Sequence, residues 1–300
     1  MIVNKQKTAS VKLTYLGTAG WEITDGKLVV LLDPYYTRLR NSNSTAHNDS
    51  RPLYGEDDFI DSDHKVIDQH VPGQVNYILV SHTHWDHALD VPYIAAKTGA
   101  QIIGSESTAN LAIISGIKED KIIPVRGGED YDFKTFSVRV IPSLHTPLNN
   151  RHLLDMRVLP RDAKMPLRRS DYVEGGTFSF LVRIGGHQIL TMSSFNYIER
   201  EFDGLRPDIL LMTPGGDGPI YRYVDRLMQA LGEPRIVLFT HWDKFGLPYG
   251  DPQDEGIKAL TSYGEKLKKV YPKSTFRVLK HFETLRLDFL PGASDGSKKR

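Results

Sequence analysis

The chain has 300 residues, a formal charge of +1 and no cysteine. Disulfides, thiolate metal ligands and a cysteine nucleophile are therefore excluded, and no global field of either sign points to nucleic acid or a membrane. Hydrophobic residues make up 40%, enough for a packed core, and the length allows one large α/β domain or two smaller ones.

Residues Met1 to Lys7 lack the apolar core of a signal peptide, and no apolar run approaches the roughly 18 residues of a membrane span, so a cytoplasmic protein is expected. Val11 to Leu16 alternates as a strand, Gly17-Thr18-Ala19-Gly20 turns it, and Trp21 to Thr24 returns. Asp25-Gly26 signals a hairpin into the apolar strand Leu28 to Leu32, which Asp33-Pro34 ends. Residues 37 to 73 are polar with no clear period; so long a loop in a compact domain marks function or mobility. Val75 to Val80 is a strand. Helical segments at Val91 to Lys97 and Ser107 to Ser115 flank a strand at Ala100 to Gly104, and strands follow at Lys121 to Val125 and Thr135 to Ile141. Residues 146 to 175 interrupt the pattern. Thr177 to Ile184 and Gln188 to Met192 then form a hairpin around Gly185-Gly186. Asp208 to Met212 is a strand, Ile220 to Leu231 a helix, Arg235 to Thr240 a strand, Gly256 to Val270 an amphipathic helix and Thr275 to Leu279 a last strand. The expected organisation is a single unit over 1–292, with inserted segments near 37–73 and 146–175 and a disordered tail at 293–300.

The densest chemistry is Ser81-His82-Thr83-His84-Trp85-Asp86-His87, directly after a strand. Imidazole nitrogen and carboxylate oxygen suit Zn²⁺ and similar divalent ions. A loop leaving a strand can turn several imidazoles toward one point, whereas a regular strand would send them to alternate faces. Two further histidines, His145 and His241, each end a strand-like run.

This spacing resembles the His-x-His-x-Asp-His signature of the metallo-β-lactamase superfamily, matched in full by His82, His84, Asp86 and His87. The resemblance spans roughly residues 11 to 285. It implies a four-layer αββα sandwich of two mixed sheets with helices outside. It also implies that His82 and His84 join a later histidine, His145, around one ion, while Asp86, His87 and His241 serve a second. One position departs from the pattern. Where the superfamily places a bridging aspartate, this chain reads Ser193-Ser194. Ser194 leaves the second ion site weak or empty, or contacts substrate, or else Asn196 or Glu199 supplies the ligand. The opening Leu13 to Trp21 looks most like the lactonase-type members.

Other candidates surround this set. Asp33 either supports the histidine loop, as the resemblance implies, or is a turn residue before Pro34. Asp243 orients His241, stands in for the bridge, or caps backbone amides near Lys244 and Phe245. Residues 151 to 169 carry Arg151, Arg157, Arg161, Lys164, Arg168 and Arg169, read either as a basic lid gripping an anionic substrate group or as a solvated excursion. Trp85 belongs to a set of aromatics, with Tyr35, Tyr36, Tyr172, Phe195, Tyr197, Trp242 and Phe245, that suggests a partly aromatic pocket. His47 and His152 are read as surface or substrate-facing residues.

The expected cofactor is Zn²⁺, as one or two ions, with Mn²⁺ or Fe²⁺ as alternatives. The expected reaction is hydrolysis of a small ester, lactone or amide, with an anionic group on the substrate suggested by the basic segment. Asp86, His87 and His241 are the candidates for handling protons. A phosphodiesterase or nuclease of the same fold would need a continuous basic groove. A non-catalytic ligand-binding member would not need an open imidazole cluster. No membrane association is expected, nucleic acid is disfavoured, and self-association is left open.

Overall fold

The computed structural model describes residues 10–42, 49–147, 157–215 and 220–288. In chain order its first half runs β1 (Ser10–Gly17), β2 (Gly20–Thr24), β3 (Val29–Leu32), α1 (His64–His70), β4 (Tyr77–Leu79), α2 (Trp85–Ala88), α3 (Val91–Thr98), β5 (Gln101–Gly104), α4 (Glu106–Ile114) and β6 (Ile122–Pro124). The second half runs β7 (Asp130–Asp132), β8 (Phe136–Pro142), β9 (Phe178–Ile184), β10 (His187–Thr191), α5 (Glu199–Phe202), β11 (Ile209–Met212), α6 (Tyr223–Leu231), β12 (Ile236–Phe239), α7 (Asp254–Val270), β13 (Thr275–Arg277) and β14 (Thr284–Asp288).

The strands form two seven-stranded sheets, ordered β14-β1-β2-β3-β4-β5-β6 and β13-β12-β11-β10-β9-β8-β7. Each is mixed: β3 to β6 and β10 to β13 run parallel, and the remaining pairs run antiparallel. The period-2 alternation of strand side chains sorts the core into layers. Val30, Leu32, Leu79 and Ile103 of one sheet meet Val138, Phe180, Ile189, Leu211 and Leu238 of the other in a shared cluster. Their neighbours Leu31, Ile78 and Ile102 face the opposite way, onto Ile67, Ile94 and Leu111 of α1, α3 and α4. Leu190, Leu210 and Val237 face Phe202, Leu227 and Leu267 of α5, α6 and α7. The result is the expected helix–sheet–sheet–helix sandwich. Ile189 is fully buried between the sheets. Ile189→Ala is expected to lower the unfolding free energy by about 2–5 kcal/mol in urea titration.

Several elements depart from the reading of the sequence. Helix α1 lies inside 37–73, capped by Asp63, whose side chain accepts from Val66 N. Only Ile67 of its seven residues is buried, too little apolar stripe to register as a period. Strand β13 is not the last, because β14 follows and pairs antiparallel with β1 at the sheet edge. Strand β7 is another short polar edge strand, beside β8. Helix α6 begins at Tyr223 rather than Ile220. No helix of the described residues is long and apolar enough to cross a membrane. The tail at 293–300, His47, His152 and Arg151 lie outside the described residues.

Candidate active site

The functional side chains sit on loops at strand C-termini, where open α/β sheets gather their ligands. After β4, Ser81 is pinned twice by Asp33, whose Oδ1 accepts from Ser81 N at 2.7 Å and Oδ2 from Ser81 Oγ at 2.6 Å. Thr83 N donates to Glu174 O at 2.9 Å, and Phe178 N to Ser81 O at 2.8 Å. The loop is thus held from both sheets. His84 is the N-cap residue of α2, and the first turn of that helix carries Asp86 and His87. His145 follows β8, where its carbonyl accepts from Asn196 Nδ2 at 3.1 Å and Thr146 Oγ1 accepts from Phe195 N at 2.7 Å. His241 follows β12 in a left-handed conformation, φ 52°.

Two three-residue groups result. His82, His84 and His145 each offer a ligand atom within 4.8 Å of the others, and so do Asp86, His87 and His241. Ring centroids of the first group lie 4.7–4.9 Å apart. In the second, Asp86 Oδ2 is 3.5 Å from His87 Nε2 and 3.3 Å from His241 Nε2. The outer nitrogens are engaged: His87 Nδ1 lies 3.0 Å from Asp33 Oδ2, His82 Nδ1 3.0 Å from Ser81 Oγ, and His145 Nδ1 2.8 Å from Thr146 O. An Nδ1–H donated outward leaves the Nε2 lone pair facing inward, the usual arrangement of a metal-binding histidine. His82 Nε2 is buried with no hydrogen-bond partner. An orphaned ring nitrogen aimed at two other imidazoles fits a cation between them, so the donor set suits a divalent ion of the zinc type.

The electrostatics agree. Burial and the neighbouring imidazoles hold His82 well below the usual histidine range and His145 down at about 3, so both keep free lone pairs at neutral pH. Burial pushes the Asp86 carboxyl up, but His87 and His241 beside it outweigh this and keep it ionised. Burial lowers His87, yet Asp86 and Asp33 together raise it above the ordinary value. The sign for stability follows. Below pH 6.5 the unfolded chain takes up protons that folded His82 refuses, and that folded His145 refuses down to about 3, so stability falls as pH falls. Metal-free protein is expected to lose up to about 1.4 kcal/mol per pH unit for each of these histidines below pH 6. Urea midpoints measured from pH 7 to 5 check this, and a flat profile would count against it.

Asp33 is therefore more than a turn residue: it orients both Ser81 and His87. Trp85 lies over the pocket wall, edge-on to Tyr35 at 5.6 Å and 5.7 Å from Phe245. The pocket, about 770 Å³, is lined by both groups except the fully buried His82, together with Ser193, Ser194, Arg157, Arg169, Tyr172, Phe195 and Phe245. Of the other aromatics, Tyr35 backs Trp85, while Tyr36, Tyr197 and Trp242 do not line this pocket. The alternatives to Ser194 are corrected. Asn196 is spent on His145 O and on Tyr197 N, and Glu199 pairs with Arg226 on the helical face.

Asp243 is also corrected. It does not cap amides near Lys244 and Phe245. It points inward, where Oδ1 accepts from Tyr15 Oη at 2.9 Å and Thr18 N at 2.8 Å, and Oδ2 from Arg38 Nη2 at 2.7 Å, with His281 Nε2 2.9 Å away. Burial pushes its carboxyl up, but the Arg38 guanidinium and His281 hold it far below the usual carboxylate range. Thr18 O in turn accepts from His241 N at 2.6 Å. Thr18, Arg38 and His241 all have positive φ. The buried network thus holds strained backbone behind the second ligand group. Arg38, Tyr15 and His281 were not singled out in the sequence. Arg38 sits in a polar stretch, and nothing in its neighbours marks it as buried.

The family model described as the beta-lactamase superfamily domain matches residues 12–241. The chain belongs to the metallo-β-lactamase superfamily. Within that superfamily, a metal-dependent hydrolase of Staphylococcus aureus strain JH9 is 29% identical over 184 residues, covering 60% of this chain and 73% of that one. The metallo hydrolase Igni18 from Ignicoccus hospitalis aligns over 94% of this chain and 100% of its own at 16% identity and TM-score 0.60. An isothiocyanate hydrolase from Delia radicum gut bacteria aligns over 91% and 98% at 16% identity and TM-score 0.53. The sequence relatives are metal-dependent hydrolases by name, and this chain is an enzyme of that class.

Proposed function

We propose that this metal-dependent hydrolase acts on a small ester, lactone or amide, with Zn²⁺ as its metal and Mn²⁺ or Fe²⁺ as substitutes, in the cytoplasm. The observation that carries the reading is the meeting of two three-ligand groups at the floor of one pocket. His82, His84 and His145 would hold one ion, and Asp86, His87 and His241 a second. A bound divalent ion supplies a water acidic near neutrality and polarises an acyl oxygen. The chain's own residues do the rest. Asp86, ionised and beside both His87 and His241, would bind the second ion where that ion is present, and where it is absent would be placed to orient water and take its proton. Asp33 keeps the His87 ring in register. Ser194 stands at the position of the usual bridging carboxylate. Among the described residues no carboxylate joins the two groups there, so the second ion is held more weakly than the first.

Trp85, Tyr172, Phe195 and Phe245 form an aromatic wall that suits the apolar part of an acyl substrate, and Arg157 at the rim suits a carboxylate or phosphate on it. Arg169, the other cation of the wall, is already engaged by Glu56 and by Tyr54 O and lies 5.4 Å over Trp85. So interrupted a basic surface favours a small substrate over a nucleic acid strand. The opening strand and turn support the lactonase-type branch. Two complete ligand groups weigh against a non-catalytic member.

The test is a panel assay. Protein loaded with Zn²⁺, Mn²⁺ or Fe²⁺ is expected to turn over lactones and activated esters and to lose activity to a chelator. Turnover of bis-aryl phosphates alone would replace this reading with the phosphodiesterase one. Absence of turnover on every class despite bound metal would favour the ligand-binding one.

A further inference from the structure

A second cavity of about 660 Å³ lies behind the catalytic pocket and shares no lining residue with it. The two are separated by the chain after β3: Arg38, Leu39 and Arg40 line the rear cavity, and Asn41 and Ser42 line the catalytic one. We propose that the rear cavity is a second ligand site, for a small planar aromatic acid. This stands whether or not the hydrolase reading holds.

Its volume falls in the ordinary range for small-molecule sites, and its lining mixes aromatic and aliphatic walls with charged and polar side chains. The walls are rings. His70 stacks on Tyr36 at 6.4 Å and on Phe282 at 4.5 Å, and Tyr249 meets His70 edge-on at 5.0 Å. Tyr36, Tyr54, Phe59, His70 and Tyr249 all line the space, with Val66 and Pro248 between them. Such surfaces take a flat π-system by stacking and edge contacts.

The charged lining decides the rest. Arg38 gives Nε and Nη2 to Asp243 and to the carbonyls of Leu247 and Lys244, while its Nη1 is buried without a partner. Arg51 is spent on Asp49 and on the carbonyls of Arg38 and Gly246. Asp63 caps α1, and Asp61 accepts from Ser62 N. Arg40 has no carboxylate of its own. Its Nη1 reaches Arg51 O, but its Nε has no hydrogen-bond partner, and its nearest carboxylate, Asp49, is 4.0 Å away and already held by Arg51 at 2.7 Å. The Tyr36 hydroxyl is likewise buried without a partner. One undercompensated guanidinium and one unpartnered hydroxyl beside ring walls call for an acceptor, and a negatively charged one satisfies both.

The test uses 1-naphthoate as the probe, titrated calorimetrically into the full chain. Saturable binding is expected, unchanged after metal removal with a chelator. Arg40→Gln should weaken it about tenfold, and uncharged 1-naphthalenemethanol should bind wild type about tenfold more weakly than the acid. Val66→Trp, which fills the space, should abolish it. If that variant does not fold, Gln69→Trp at the exposed mouth takes its place. Unchanged hydrolytic activity in the variants would show that the catalytic pocket is intact. Absent saturation, binding lost with the metal, or equal affinity in wild type, Arg40→Gln and Val66→Trp would each overturn the proposal. So would a dimer that excludes naphthoate and that Phe59→Ser dissolves, since a second copy would then be the occupant.

Discussion

His145→Ala is expected to lower kcat/KM by at least about 100-fold and to cost the protein its tightest metal ion. Changes in residues that only orient a metal ligand already cost 10- to 100-fold, and His145 is placed as a ligand itself. It is one of three neutral imidazoles whose nitrogens converge, and with two left the donor set falls below the three of catalytic zinc sites. The substitution should leave the fold intact. His145 is only partly buried, on the loop after β8. Its ring is pressed against His82 and His84 at 4.9 and 4.7 Å. Below pH 6 the metal-free variant should therefore be at least as stable as wild type, because one reluctant imidazole is gone. Metal analysis, steady-state kinetics and urea unfolding of the metal-free forms check these outcomes together. Full activity in the variant would remove His145 from the site.

Asp243→Ala is expected to destabilise the protein by about 3–5 kcal/mol. Arg38 and Asp243 have side chains 1% and 0% exposed and meet at 2.7 Å. Removing the carboxylate strands a buried guanidinium. It also frees Thr18 N and Tyr15 Oη, and with them the carbonyl that fixes His241 N. Asp243→Ala combined with Arg38→Met should recover part of the stability, because the stranded charge is then absent. It should not recover the weaker of the two metal affinities, since His241 has still lost its brace. The pH sign follows from the direction of the shift. Asp243 stays ionised in the fold well below its ordinary range, so its contribution is present above about pH 4 and is lost as pH falls further. Urea unfolding at pH 7 and metal titration measure both effects. A cost under about 1 kcal/mol would mean the pair carries little.

The ligand loop was legible because its chemistry is local. Six consecutive positions hold three histidines and a carboxylate, and a strand leads into them. His145 and His241 were legible because each closes an apolar run. The layers were legible from the alternation of Val30, Leu31 and Leu32 and its counterparts, since period-2 patterning assigns faces without further information. What escaped was non-local. Asp243 looked like a loop carboxylate because its partners lie 225 residues away at Thr18 and 205 away at Arg38. Strand β7 escaped because it is three residues long with two aspartates, a short polar edge protected from pairing with other chains, whereas β14 shows a legible alternation of Leu285 and Leu287 that the reading of the sequence missed. Helix α1 escaped because its single buried residue, Ile67, leaves no stripe.

Titrating Zn²⁺ into metal-free protein, with wild type and His241→Ala compared, tests the core of this reading most directly. Two steps of about one ion each are expected in wild type, the first tight and the second weaker, and only the tight step in His241→Ala. No binding in wild type, or two unchanged steps in both His241→Ala and His82→Ala, would contradict it.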